Sequence, residues 1–145
     1  MTTNTILVST HGETEEHRKE VGKTVLELVD DETTVVIAHA FTEEGFNSAK
    51  QHLNAGKKVS SDALARRITH VQEIVEVLDS SDIDVEVRGR IGDKAETILA
   101  VAEEIDADQV VVGGQQRNPT GKAVFGSTAQ EVLLNSPCPT TFVLE

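Results

Sequence analysis

Val110-Val111-Val112-Gly113-Gly114-Gln115-Gln116-Arg117-Asn118-Pro119-Thr120-Gly121-Lys122-Ala123-Val124-Phe125-Gly126-Ser127-Thr128-Ala129 decides how the chain is read. Three valines in a row predict a buried strand. A Gly-rich polar loop follows, and the Gly126-Ser127-Thr128 step opens a helix. Strand, glycine loop and helix in this order form a site for anions. Glycine lets backbone approach a ligand without a Cβ in the way, and the free N–H groups at a helix start favour negative charge. Arg117 and Lys122 add positive charge to the same loop.

The rest of the chain alternates strand and helix around this unit. Asn4-Thr5-Ile6-Leu7-Val8 predicts a first buried strand that ends in the polar turn from Ser9 through Thr10 and His11. A helix follows from Glu15, with Val21, Val25 and Leu28 on one stripe. The near-continuous apolar run from Thr34 to Ala40 predicts a strand covered on both faces. Residues 41–60 sustain neither period and are read as a loop with a little helix. Leu64, Ile68, Val71, Val75 and Leu78 predict one long helix capped by Ser61. Ile83 to Val87 alternates, as an edge strand would, and Asp93 with Glu96 predicts a capped helix carrying Ala95, Ile98, Ala102 and Ile105. Thr140 to Leu144 reads as a terminal strand. The pattern predicts an α/β fold: an open, five-stranded, mostly parallel sheet with helices on both faces, doubly wound and Rossmann-like. Such sheets bind ligands beyond the carboxyl ends of their strands, so the loops after the first and fourth strands are the candidate site.

Composition sets the bounds. The 145 residues suit one domain, 1–145, and 3% aromatic content with no Trp or Tyr calls for an aliphatic core. Lys and Arg number 13 against 25 Asp and Glu, a net charge of −12 that repels nucleic acid and anionic membranes. This acidity fits either simple solubility or adaptation to a salt-rich cytoplasm. One cysteine, Cys138, excludes an internal disulfide and fits a reducing compartment; with no basic, apolar leader and no membrane-length apolar run, the expected location is the cytoplasm. His17, His52 and His70 lack metal-ligand spacing, and no metal site is expected. No nucleophile–base pair or paired-acid arrangement argues for rapid turnover. His11 reads either as a site residue or as a loop histidine without catalytic duty, His39 as a satisfied residue at the core rim, and Ser127 with Gln130 as an ordinary helix start if no ligand binds.

Over nearly its whole length the chain resembles the universal stress protein family. The nucleotide-binding members carry Gly, two residues, Gly, nine residues, then Gly-Ser or Gly-Thr. Gly113 and Gly126-Ser127 fit, whereas Gln116 stands at the second glycine. Ile6-Leu7-Val8, Ala38-His39-Ala40, Gly92 with Ala95 and Ile98, and Ser136-Pro137-Cys138-Pro139 also match family segments. The resemblance implies a stress-response module that binds ATP or another adenine nucleotide, with Mg²⁺ and at most slow hydrolysis. It further implies a homodimer paired through Thr140 to Leu144. Carried across, Ala40 and Val112 line the adenine, and Thr10 and His11 approach the ribose, His11 replacing the family's Asp. Gly113, Gln116, Arg117, Lys122, Gly126, Ser127 and Thr128 surround the phosphates. If Gln116 inherits a glycine's positive-φ backbone, its Cβ costs roughly 1–2 kcal/mol. The competing reading is a member that has lost the nucleotide and acts through dimerisation and protein contacts. A phosphate-metabolising enzyme is a third.

Overall fold

A computed structural model describes residues 4–10, 14–117, 120 and 123–144, without the side chains of 114–117, 123, 124 and 144. The strands are β1 (Thr5–Ser9), β2 (Thr34–Phe41), β3 (Asp84–Ile91), β4 (Gln109–Arg117), β5 (Ala123–Val124) and β6 (Thr140–Leu144). The helices are α1 (Glu15–Leu28), α2 (Glu43–His52), α3 (Ser61–Ala65), α4 (Thr69–Leu78), α5 (Lys94–Glu104) and α6 (Ser127–Asn135). β3, β2, β1 and β4 lie side by side in that order and all pair in parallel. β6 extends the parallel sheet beyond β4, and β5 folds back antiparallel onto the far end of β4. This is the predicted α/β architecture, a five-stranded parallel sheet with helices around it.

The apolar runs explain the layering. Alternate residues of one strand point to opposite faces, so a strand buried on both sides must be apolar throughout. Ile6 and Val8 join Val35, Ile37 and Val111 in a core beneath α1 and α4. Leu7 joins Val36, Val110 and Val112 in a second core with Ala95, Ile98 and Val132 of α5 and α6. α1 and α4 pack closely because Gly22 leaves room for Val77, whose atoms lie 3.0 Å from where a Cβ would stand. Arg18 of α1 spans to Glu73 of α4, its Nε donating to the carboxylate at 2.7 Å with both side chains largely buried.

Two expectations change. The little helix expected within residues 41–60 is α2, a full 10 residues; Thr42 caps it by accepting from the Gly45 N–H at 2.9 Å, and Glu43 and Glu44 occupy the first turn. This helix buries only Phe46, edge-on to Phe41 with ring centroids 5.3 Å apart, so it leaves no apolar period in the sequence. The single helix expected from Ser61 to Leu78 is broken into α3 and α4 by an extended Ile68 (φ −76°, ψ 132°). Leu64, Val71 and Leu78 still face one core, which is why the spacing read as continuous. Ser60 rather than Ser61 caps α3, and the Ser61 hydroxyl instead donates to the Gly89 carbonyl at 2.7 Å.

That contact fastens α3 to the outer edge of β3. The Gly89 N–H donates to Asp62 Oδ1 at 2.8 Å, and a Cβ on Gly89 would stand 2.1 Å from the Ser61 carbonyl oxygen. No side-chain rotation relieves a collision with backbone. Gly89→Ala is therefore expected to lower stability by about 2–3 kcal/mol, read as a fall in the urea midpoint at unchanged slope, and a loss below 0.5 kcal/mol would contradict the packing.

Candidate functional site

The crossovers around β1 leave the sheet on opposite faces. α1 and α4 cover one side, α5 and α6 the other, so the carboxyl ends of β1 and β4 border a crevice where the strand order reverses. Register places Val8 beside Val111, which sets Val112 level with Ser9. Ala38 lies beside Ser9, so Ala40 extends two residues beyond it. By strand alternation Ser9, Ala40 and Val112 belong to the face of α5 and α6. Ala40 is half-buried and Val112 fully buried, a small apolar wall at the strand ends.

Thr10 faces the other way. Its hydroxyl shares a 2.8 Å hydrogen bond with His39 Nδ1, and the side chain is buried, so the expected site residue and the expected rim histidine form one unit. The His39 ring lies edge-on to Phe41 at 4.6 Å. Burial, then the positive charge of His70 and Lys94, pushes its pKa from 6.5 down to about 4. Burial first and then Arg18 also lower His70, against an opposing pull from Glu73.

β4 departs from the expected loop. It runs on through Arg117 and pairs Gln116 with Val124 and Arg117 with Ala123 in a short antiparallel ribbon. Gln116 thus occupies a ladder position, which is extended backbone, and the positive-φ penalty does not apply. The register of β4 against β6 shifts between Val112 and Gln115. There His17 of α1 supplies a donor. Its Nε2–H donates to the Val143 carbonyl at 2.8 Å, on the side of β6 that faces β4, while its buried Nδ1 has no partner. The imidazole thus satisfies a β6 carbonyl beside the irregularity through which β4 leaves the sheet. The spacing of histidines in the sequence gives no sign of this bracket.

After β5 the chain turns into α6. Phe125 packs edge-on against Phe142 of β6 at 5.3 Å, fixing the approach, another role that sequence reading missed. An aromatic in a chain with only four Phe and no Trp or Tyr is the signal that was available. Gly126, not Ser127, is the N-cap, and it makes no side-chain cap; Gln130 donates to the Phe125 carbonyl at 2.9 Å instead of closing a capping box. Thr14, Thr42, Ser60 and Asp93 cap α1, α2, α3 and α5 with their side chains. Gly126 and Ser127 are exposed, and Thr128 is half-buried. Gly126 has φ −73°, and a Cβ there would meet nothing within 4 Å. Neither backbone conformation nor packing among the described residues requires a glycine here, and no described atom fills the space beside it.

The structure thus gathers Ala40, Val112 and Gly113 at the strand ends and Gly126, Ser127 and Thr128 at the start of α6. The expected contacts His11 and Lys122 lie outside the described residues, as do the side chains of Gln116 and Arg117. Among the described residues no three His, Cys, Asp or Glu side chains are placed to hold a metal ion.

The Universal stress protein family model matches residues 2–143. The chain belongs to the universal stress protein family. A universal stress protein of Mycolicibacterium smegmatis is 37% identical over 79 residues, which are 54% of this chain and 61% of that protein, so the match spans about three fifths of the relative's length. Among solved structures, the universal stress protein of Archaeoglobus fulgidus in complex with dAMP aligns with TM-score 0.67 at 16% identity, covering 99% of each chain. An Arabidopsis thaliana family member with AMP bound aligns with TM-score 0.60 at 14% identity, covering 98% of this chain and 92% of its own. At these identities the structural likeness establishes the fold. Among the described residues, no helix of this family member is long and apolar enough to cross a membrane.

The half-buried His39 gives the site a pH signature. The unfolded chain takes up this proton below about 6.5 and the folded chain only near 4, so the stability linked to neutral His39 is complete above pH 6.5 and is lost as pH falls through that window. The loss amounts to up to about 3 kcal/mol. His39→Gln should flatten the acid limb of urea-derived stability between pH 6.5 and 4, and an unaltered slope would reject the assignment.

Proposed function

We propose that the chain binds an adenine nucleotide, ATP in the first instance, in the crevice between the ends of β1, β2 and β4 and the start of α6. It acts as a nucleotide-responsive regulatory or protective module in stress response. The observation that carries this reading is the start of α6: an exposed glycine N-cap without a side-chain cap, beside space that no described residue fills. A helix N-terminus left in this state offers N–H donors and positive dipole to a phosphate. The nucleotides named for two structurally similar family members, dAMP and AMP, support the same ligand class.

In this reading the adenine rests on Ala40 and Val112, and Thr10 and His11 border the ribose. Thr10 contributes backbone, since its hydroxyl serves His39. The phosphates lie between Gly113, Gln116 and Arg117 on one side and Lys122, Gly126, Ser127 and Thr128 on the other. Mg²⁺ would be held by the phosphates themselves, and the site is assigned to binding rather than rapid turnover. The whole chain, 1–145, works as one cytoplasmic domain and forms a homodimer through β6. The Pro139 carbonyl accepts from Val110 of β4. By alternation residues 140, 142 and 144 direct their backbone groups to the open edge, where an antiparallel twin can pair.

Calorimetric titration with ATP and Mg²⁺ tests the ligand. Gly126→Val meets no described residue and should keep the fold while lowering affinity at least tenfold; Gln116→Gly should raise it. Absence of heat up to millimolar nucleotide, with no nucleotide released from the denatured purified protein, would favour a member that acts through protein contacts alone. For assembly, sedimentation should give a dimer that Thr140→Pro, which removes an outward N–H, converts to monomer; a monomer from the outset removes the β6 interface.

A further inference from the structure

One described groove lies away from the strand ends. It has a volume of about 760 Å³ and runs along the open edge of β3, between that strand and α4. Gly89 turns its N–H and C=O outward, where Asp62 and Ser61 of α3 satisfy them. Residues two apart on a strand share direction, so Val85 and Val87 present their N–H and C=O groups to the same edge. No described helix is hydrogen-bonded to those positions as α3 is to Gly89, and the groove opens on them. α3 therefore closes one end of an otherwise free strand edge.

The lining has a direction. Arg66, at the end of α3, and Arg88, next to Gly89, stand at the closed end. Among the described residues neither side chain makes an ion pair, whereas Asp62 at this end is already held by Arg90 at 3.0 Å. α4 runs back along β3, so its last turn lies beside the beginning of the strand. Val75, Glu76 and Asp79 share one stripe of α4, an apolar middle followed by an acidic open end.

We propose that this groove takes the extended carboxyl-terminal tail of a partner protein. The tail adds as a strand to β3, pairing with the outward backbone of Val85 and Val87. Its terminal carboxylate meets Arg66 and Arg88, where α3 leaves no room for the chain to continue. An apolar side chain contacts Val75, and a basic residue a few positions upstream meets Glu76 and Asp79. Main-chain pairing supplies affinity; the closed basic end and the acidic open end supply selectivity and direction.

The test uses the full chain and a library of short peptides with random sequences and free carboxyl ends, alongside the same library amidated. Enrichment on immobilised protein should select an apolar last residue and Lys or Arg three to five positions upstream. The best selected peptide should shift the amide resonances of Val85 and Val87 and bind at least tenfold more weakly once amidated. Arg66→Gln with Arg88→Gln, at exposed and half-buried positions, should erase the acid–amide difference while circular dichroism stays unchanged. Glu76→Gln with Asp79→Asn should erase the preference for the upstream basic residue. No enrichment beyond that on the double arginine variant, equal binding of acid and amide, or shifts confined to other strands would overturn the proposal. So would protection of Val85 and Val87 by self-association, seen as a concentration-dependent change in their resonances without peptide.

Discussion

Burial of β1, β2 and β4 from both faces is the constraint from which the architecture follows. A strand with helices above and below cannot carry polar side chains inward on either side, so Ile6-Leu7-Val8, Val35-Val36-Ile37 and Val110-Val111-Val112 are apolar without interruption. Parallel pairing then obliges every connection to cross the sheet, and right-handed crossovers carry the helices to both faces. All strands of the parallel sheet end on the same side. The crevice at β1 and β4 is a by-product of this geometry, and polar chemistry can be placed there because the strands have run out.

How the chain spends its polar groups around that crevice separates support from availability. Thr10 and His39 satisfy one another on the α1 and α4 face, and Arg18 and Glu73 do so deeper between the helices. His17 supplies Val143 with a donor where β4 shifts register. Each is a buried or half-buried side chain with at least one partner, His17 through its Nε2 alone. The start of α6 differs. Its first-turn donors have no capping side chain, and Gly126 is exposed. In a chain of net charge −12, long-range attraction does not bring an anion here, so any discrimination in its favour must come from short-range donors.

Much of this was legible in the sequence for a physical reason: the strongest patterns record burial. The two-sided strands announced the parallel sheet, alternation in Asp84-Val85-Glu86-Val87 announced the edge, and Asp93 with Glu96 announced a cap that the structure forms at 3.1 Å. What did not show were contacts made by single residues. α2 fully buries Phe46, with Ala49 half-buried beside the core, and one buried side chain leaves no period. The break at Ile68 preserves the helical phase, so spacing could not reveal it. His17 meets a carbonyl 126 positions away, and neither partner has a sequence signature. At the site, glycine spacing identified the frame around Gly113 and Gly126, but the conformation of Gln116 depends on its pairing with Val124, a tertiary fact.

The two edges of the sheet show the same constraint operating where it is weakest. An edge strand has backbone groups that no neighbouring strand satisfies, and a soluble protein must cover or spend them. β3 is covered only in part: α3 takes both polar groups of Gly89 and needs the missing Cβ to approach that closely, leaving Val85 and Val87 open. β6 lies at the opposite edge and is anchored inward by β4 and His17. The difference follows from how each edge is closed. On β3 a helix blocks the path of an added strand after a few residues, so the geometry favours a chain that ends there. On β6 no described helix is fastened across the outward backbone in this way, and a longer segment can run the length of the strand. One sheet thus offers two unlike surfaces, and the position of α3 is what makes them unlike.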